Sequence, residues 1–352
     1  MSYLFLNQVN KTFNRISVLK ELDLEVNEGE MVTLLGPSGC GKSTLLRCIS
    51  GLTGMDRGRI VLGGRDITGL PPKNRDVGMV FQSYALFPNM NVYDNIAFGL
   101  SMQKKSGAQV KAKVGEMLQL VDLEDKAKAY PHELSGGQQQ RVSLARSLAV
   151  EPKLMLMDEP LSALDAKIRK HLRTELRQIQ KRVGMTMLFV THDQEEALTI
   201  SDKVCLMNQG RIVQTGTPDE VYSRPRDEFA ARFIGSYNVI AAEDLMRLTR
   251  QPLASGIYYA LRPEAVTVTP ERAGTSDRQQ GAVEEGPSVT VTGVVLESVM
   301  LGNIIRYQIE ADGVKLHADM LNASPVTKAH DGEPVQIEFE LAACIPLEAG
   351  EV

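Results

Sequence analysis

Short, almost uninterrupted apolar runs recur along the first part of the chain. Met31-Val-Thr-Leu-Leu35 is followed at once by a glycine-rich turn and predicts a buried strand. Val77 to Phe81, Leu154 to Met157 and Thr186 to Val190 have the same character, that of strands covered on both faces in a parallel sheet. Thr44 to Ser50 predicts a helix closed by Gly51. Ala166 to Val183 is charged, yet Ile168, Leu172, Leu176 and Ile179 recur at helical spacing, so an amphipathic helix is expected. Strand, helix, strand is the repeating unit of an open α/β sheet. Asn95 to Met102, Val110 to Val121 and Gly137 to Ala149 break that rhythm and predict a helical subdomain over about residues 91–150.

Pro218-Asp219-Glu220 after Thr217 reads as a capped helix start, and Arg226 to Ile234 as one more helix closed by Gly235. After residue 240 the pattern changes to closely spaced β runs: Ile257 to Ala260, Val289 to Leu296, Ile304 to Ile309, Val314 to Ala318 and Val335 to Leu341. Several alternate, as in Val289-Thr-Val-Thr, and together they predict a small barrel or sandwich. Glu271 to Ser288, rich in Gly, Gln, Glu and Ala, is expected to be a mobile link. Two domains follow, residues 1–235 and 236–352.

Composition agrees with that division. The 352 residues are too many for one ordinary domain, and 43% hydrophobic with 24% charged residues is ordinary for a folded, soluble chain. Residues 1–240 hold 31 lysines and arginines against 27 acids, whereas residues 241–352 hold 8 against 17. The overall charge of -5 excludes a generally basic nucleic-acid binder. No stretch approaches the ~18 apolar residues of a membrane span, and the start, Met1 to Lys11, is too polar for a secretory signal. A cytoplasmic location is expected, with any membrane role played through a partner. Cys40, Cys48, Cys205 and Cys344 form no metal-binding or disulfide pattern and read as reduced thiols.

Three stretches carry chemistry. Gly36-Pro37-Ser38-Gly39-Cys40-Gly41-Lys42-Ser43-Thr44 fits G-x-x-x-x-G-K-[ST] between a predicted strand and a predicted helix. Its glycines let backbone N–H groups wrap an anion, and the helix adds its positive end. Lys42 supplies a mobile charge for the outer phosphates, and Ser43 a hard oxygen for magnesium. Leu154 to Met157 runs into Asp158-Glu159, placing two carboxylates at the sheet edge where open α/β folds bind ligands. Asp158 suits the magnesium shell, and Glu159 an attacking water. Leu134-Ser135-Gly136-Gly137-Gln138, taken alone, reads as a flexible turn; beside the phosphate loop it also reads as a second anion-binding helix end, with Ser135 as cap and two glycines baring the first N–H groups. One nucleotide seldom needs two such ends, so the second suits a nucleotide held by another copy.

In this order the motifs make the chain resemble the ATP-binding subunit of an ABC-type importer. Gln82 in Phe81-Gln82-Ser83, Ser162-Ala-Leu-Asp165 and His192 in Val190-Thr-His-Asp193 fall where that family has its remaining motifs, over about residues 3–235. Residues 236–352 resemble the accessory β domain of importers of the polyamine, ferric-ion, phosphonate, sulfate and sugar groups, with Arg262-Pro263-Glu264 inside a β run. The resemblance implies a P-loop α/β domain with a helical subdomain, followed by a small all-β, OB-like barrel.

It also implies roles. Phe13 would stack on adenine, Gln82 contact magnesium or the attacking water, and His192 contact the γ-phosphate. Asp165 would help join two cassettes, and Ser135, Gly136, Gly137 and Gln138 would complete the opposing copy's site. The implied protein is an ATPase using ATP and Mg2+, a homodimer at the cytoplasmic face of the inner membrane. It would be held there by permease subunits and served indirectly by an extracytoplasmic solute-binding protein. The segment around Tyr84-Ala-Leu-Phe-Pro88 would dock the permease. The alternative is a cassette ATPase acting on nucleic acid or translation, but the chain shows no sustained heptads and only one phosphate loop. A small-molecule P-loop kinase would have no use for Ser135 to Gln138 or Asp165. The acidic C-terminal domain is compatible with a cation or polyamine, and His317 and His330 read as ordinary surface or structural residues.

Overall fold

The computed structural model describes residues 2–162, 164–253, 256–271, 288–322 and 328–348. The expected link at 271–288 lies outside the described residues, apart from its end residues Glu271 and Ser288. The chain divides into two units, Met1–Asp219 and Glu220–Val352. The division falls inside the first of the two short helices that the sequence pattern assigns to the end of the first domain.

The first unit is built on two sheets. One is antiparallel, with strands β1 (Leu4–Phe13), β2 (Ile16–Val26), β4 (Arg57–Leu62) and β5 (Arg65–Asp66) in the order β2-β1-β4-β5. The other has six strands: β3 (Met31–Leu35), β6 (Val77–Val80), β7 (Leu154–Asp158), β8 (Thr186–Thr191), β9 (Lys203–Asn208) and β10 (Arg211–Gly216). Their order is β10-β9-β3-β8-β7-β6, parallel throughout except for β10. The continuous apolar runs are explained by cover on both faces. Met31, Met155, Met157, Met187 and Phe189 pack into one core, while Val32, Leu34, Leu154, Leu156, Leu188 and Val190 pack into another on the opposite face. Successive residues of a strand alternate between the two, as the pleat requires.

Helix α1 (Lys42–Ser50) follows β3 and packs into the second core. The helical subdomain holds α2 (Val92–Met102), α3 (Gly107–Leu120) and α4 (Gly136–Ala149), all contributing to the first core. Each begins on a side-chain cap: Asn91, Ser106 and Ser135, respectively. Helix α5 (Ala166–Val183) starts on Asp165 and ends at Gly184, whose left-handed conformation (φ 66°) closes it. A short α6 (Gln194–Ile200) leads from β8 to β9.

The second unit opens with α7 (Pro218–Ser223, straddling the division) and α8 (Glu228–Ile234). Strands β11 (Asn238–Ala241), β12 (Tyr258–Leu261) and β18 (Ile345–Pro346) form a small antiparallel sheet. Strands β13 (Thr267–Pro270), β14 (Ser288–Met300), β15 (Ile304–Ala311), β16 (Val314–Leu321) and β17 (Pro334–Glu340) form a five-stranded one, ordered β13-β17-β14-β15-β16. The alternation in Val289-Thr-Val-Thr is that of β14, where Val289 is buried between exposed neighbours. This is the expected all-β domain, with one helix the pattern did not suggest, α9 (Ala242–Thr249), whose Leu245 and Leu248 enter its core. Arg262-Pro263-Glu264 is not inside a strand: Pro263–Ala265 forms a short 3₁₀ turn between β12 and β13, since proline cannot donate to a ladder.

Candidate functional site

Parallel strands in register bring their carboxyl ends to one edge. Leu35 pairs with Thr191, Asp158 with Val190 and Val80 with Met157, so the segments after β3, β6, β7 and β8 emerge side by side. From β3 the chain turns through Gly36 to Gly41 into α1. A Cβ at Gly36 would lie 2.3 Å from the Met207 carbonyl oxygen, so only glycine fits there. Gly41 has φ 111°, and a Cβ on it would come within 2.9 Å of the Val18 carbonyl. Gly39 (φ 82°) meets nothing within 4 Å and forms an exposed crest with Ser38, beside half-buried Pro37. Cys40 is buried against the loop, and its carbonyl accepts from Gly210 N at 3.0 Å.

The Lys42 ammonium is almost fully buried. It donates to the carbonyls of Gly36 (2.7 Å) and Pro37 (2.9 Å), with Cys40 Sγ at 3.8 Å. Its charge is therefore met by the loop's own backbone oxygens, partners that a phosphate can replace. Ser43 and Thr44 lie in the first turn of α1, and Ser43 Oγ donates to Asp158 Oδ1 at 2.7 Å. A hydroxyl and a carboxylate held together are hard oxygen donors of the kind magnesium takes, so the residues present fit that ion.

Glu159 follows β7 in a left-handed conformation (φ 45°), an uncommon one for a residue with a side chain. Its amide donates to Val190 O at 3.1 Å, and Ser162 Oγ donates to its carbonyl at 2.9 Å, which holds that turn. Gln82 Nε2 donates to Glu159 Oε2 at 3.5 Å and to Ser162 Oγ at 3.2 Å. His192 Nδ1 lies 3.3 Å from Glu159 Oε1, and the histidine is half-exposed. Thus Gln82, Glu159 and His192 meet at one carboxylate. Behind His192, Thr191 Oγ1 donates to buried Glu196 at 2.5 Å, and Asp193 caps α6. Burial pushes the Glu196 carboxyl up, reinforced by Asp193 and opposed by the Thr191 hydrogen bond and by Arg169 and Arg173.

The residues at the start of α4 hydrogen-bond to none of these groups. Ser135 Oγ accepts from Gln138 N at 3.3 Å and Gln138 Oε1 accepts from Ser135 N at 2.9 Å, a reciprocal capping box. The two glycines also serve packing. A Cβ on Gly136 would lie 2.9 Å from Leu164 Cδ2, and one on Gly137 3.2 Å from Leu172 Cδ1. Beside them opens a cleft of about 590 Å³ lined in part by Gln138, Arg141, Lys167 and His171. The Asp165 carboxylate is engaged as the cap of α5, accepting from Lys167 N and Ile168 N. Phe13 ends β1 at a tight hairpin, 44% exposed, with the Lys11 ammonium 5.0 Å from its ring centre. A ring this exposed does not serve core packing.

Sequence reasoning passed over the buried polar groups that hold this edge. Arg75, 5% exposed, donates to the carbonyls of Cys48 and Ile49 at the end of α1 and to those of Leu70 and Thr68. Burial lowers its pKa, and its charge sits at the negative end of α1. Asn95, fully buried, accepts from Phe87 N and donates to the carbonyls of Phe87, Met90 and Asn91. Ser143 and Arg146 of α4 donate to the carbonyls of Tyr84 and Ala85, both in left-handed conformations. A lone amide on the apolar stripe of Val92 and Ile96 is the one signal that marks Asn95 in advance. Arg75 carries none. Cys48 and Cys205 are pushed up to about 11 and Cys344 to about 12 by burial, which keeps them as thiols.

A phosphate loop, an Asp-Glu strand end and a serine-capped helix in a helical subdomain define a cassette-type ATPase. Known proteins agree: residues 19–162 match the ABC transporter family model and residues 259–347 the TOBE domain model. The chain is 45% identical over 311 residues to the spermidine/putrescine import ATP-binding protein PotA of Shigella boydii, covering 83% of this chain and 82% of the relative. The same figures hold for PotA of Escherichia coli. Among solved structures, CbiO1 of Clostridium perfringens, part of the ABC transporter complex CbiONQ, superposes with a TM-score of 0.59 at 30% identity, covering 63% of this chain and 90% of that one. A dimeric post-hydrolysis cassette, MJ0796 bound to ADP and Pi, gives 0.55 at 31% identity over 61% and 98%.

The chain belongs to the ABC transporter family: it is an ATP-binding subunit that hydrolyses ATP to drive transport. Among the described residues no helix is long and apolar enough to cross a membrane.

Proposed function

We propose that the chain powers polyamine import, as the energy-supplying member of a homodimer bound to permease subunits at the cytoplasmic face of the inner membrane. An extracytoplasmic solute-binding protein delivers the cargo. The cargo assignment rests on the 45% identity to spermidine/putrescine import ATP-binding proteins over 83% of the chain. The catalytic assignment rests on one observation, the convergence of Gln82 and His192 on the Glu159 carboxylate at the sheet edge that also holds Ser43 and Asp158.

In this reading Phe13 stacks on adenine, and the amides from Gly36 to Thr44 wrap the phosphates, with Pro37, Ser38 and Cys40 shaping the loop. Lys42 exchanges the Gly36 and Pro37 carbonyls for β- and γ-phosphate oxygens. Ser43 and Asp158, with Gln82, would hold magnesium, whose charge would offset that of the phosphates. Glu159 orients a water in line with the γ-phosphorus and accepts its proton, while His192 donates to the γ-phosphate. Ser135, Gly136, Gly137 and Gln138 close over the nucleotide of the second copy, and Asp165 steadies the junction. The segment from Tyr84 to Pro88 receives the permease.

Glu159→Gln tests the catalytic half. It is expected to keep nucleotide affinity within about threefold, lower turnover roughly 100-fold or more, and accumulate an ATP-bound dimer on size-exclusion chromatography. Turnover near the wild-type rate would remove Glu159 from its role. Uptake of labelled spermidine and putrescine by cells lacking the gene tests the cargo: unchanged uptake of both counts against polyamines without touching the ATPase assignment.

A further inference from the structure

A cleft of about 440 Å³ opens in the second unit, lined by Arg232, Ser236, Asn238, Arg306, Lys315 and His317 among others. We propose that it binds a small polyanionic metabolite bearing two or more carboxylate or phosphate groups. The site differs in chemistry and place from the nucleotide-binding edge, which belongs to the first unit. Four observations carry the proposal.

The first is charge. Residues 241–352 hold 8 basic residues against 17 acidic ones, yet four of the cleft's lining residues carry cationic or imidazole nitrogens and none carries a carboxylate. A concave region of one sign focuses the opposite charge. The second is unused donor capacity. Arg232 spends Nε on Glu228 at 2.8 Å, and Arg306 spends Nε and Nη2 on Asp319 at 2.7 and 2.6 Å. The remaining guanidinium N–H groups of both have no partner among the described residues, and Lys315 has no ion pair among them. The other carboxylate in the field of Arg306, Glu264, is engaged by the Tyr222 hydroxyl at 2.7 Å.

The third is a buried, unpartnered polar atom. His317 Nδ1 is shielded from solvent without a hydrogen-bond partner among the described residues. The fourth is rigidity. Asn238 donates to His317 O at 2.9 Å and accepts from His317 N at 2.6 Å, tying β11 to β16 across the cleft. Tyr237 is tied to the Tyr222 carbonyl. Arg232 and Ser236 come from α8 and the segment after it, while Arg306, Lys315 and His317 come from β15 and β16. Cations on two sides call for at least two anionic groups on the ligand, and the volume suits a molecule the size of citrate or pyrophosphate.

The test uses the full-length chain saturated with ADP in buffer free of divalent cations, so that the phosphate loop is filled and neither titrant can chelate a metal. Citrate and pyrophosphate are titrated calorimetrically against a sodium chloride control of equal ionic strength. One saturable event per chain is expected with at least one of them, citrate alone marking carboxylate chemistry and pyrophosphate alone phosphate chemistry. Lys315→Glu and Arg232→Glu, both at exposed positions, should weaken it tenfold or more while basal ATP hydrolysis stays unchanged. The proposal is overturned if neither anion binds saturably, if both variants bind as the wild type does, or if spermidine binds and tightens in Lys315→Glu.

Discussion

Two helix starts in the first unit are built to meet an anion, and they are built differently. The start of α1 carries its own cation, Lys42, and its own acid, Asp158, within reach of Ser43. The start of α4 carries neither: its serine and glutamine satisfy each other, and its glycines owe as much to Leu164 and Leu172 as to any ligand. In the proposed function the first would grip a phosphate by itself, whereas the second would wait for one to be presented. On that reading, a chain with both would bind nucleotide alone but finish its site only against a second copy.

The strongest way to break that contrast is to remove one residue from each end. Lys42→Ala should weaken ATP binding by a single copy roughly 100-fold, a loss of about 2.7 kcal/mol. Ser135→Ala should leave that affinity within about twofold and lower turnover instead. Equal losses of affinity in equilibrium titrations would show that the two ends are not different in kind.

Next come the glycines. Gly36→Ala forces a Cβ to within 2.3 Å of a backbone oxygen, so the backbone must move, at a cost of about 2–3 kcal/mol. Gly136→Ala meets only the tip of the Leu164 side chain and should cost under about 1 kcal/mol. Urea denaturation of the two variants would reverse the argument if the order came out the other way.

The smallest effect concerns pH. Because Glu196 is raised in the folded chain, the native state holds its proton to higher pH than the unfolded chain does. Its burial therefore costs nothing below the ordinary glutamate range and progressively more as pH rises through the folded value. Glu196→Gln should gain stability relative to wild type as pH rises from the ordinary glutamate range toward neutrality. A melting-temperature difference independent of pH would show that the Glu196 carboxyl is not raised in the folded chain.

Much of this edge was legible from sequence because its residues lie next to strands that read clearly. The continuous runs of β3, β7 and β8 place Gly36, Asp158 and His192, and α5 was visible to its last residue from the spacing of Leu172 and Leu176. The antiparallel sheet was not legible. β1 pairs with β2 through several register shifts, so its apolar positions lose the strict two-residue period that marks a strand. β9 and β10 were hidden too, although the turn at Gln209 and Gly210 backs the phosphate loop. Arg75, Asn95 and Arg146 act on carbonyls contributed by distant or irregular backbone, a relation that no local pattern encodes. Asp165 shows the converse: its motif was legible, but its engagement as a helix cap had to be seen in three dimensions.

Helix α4 has a property that goes beyond its cap. In its second half, Ser143 and Arg146 grip the carbonyls of Tyr84 and Ala85, just past Gln82, and the Arg146 guanidinium rests 5.3 Å from the Phe87 ring. The helix is a stiff rod with Ser135 at its tip, roughly 12 Å from Ser143 at 1.5 Å per residue. A displacement of the Tyr84 loop would therefore act directly on the helix whose first turn Ser135 caps.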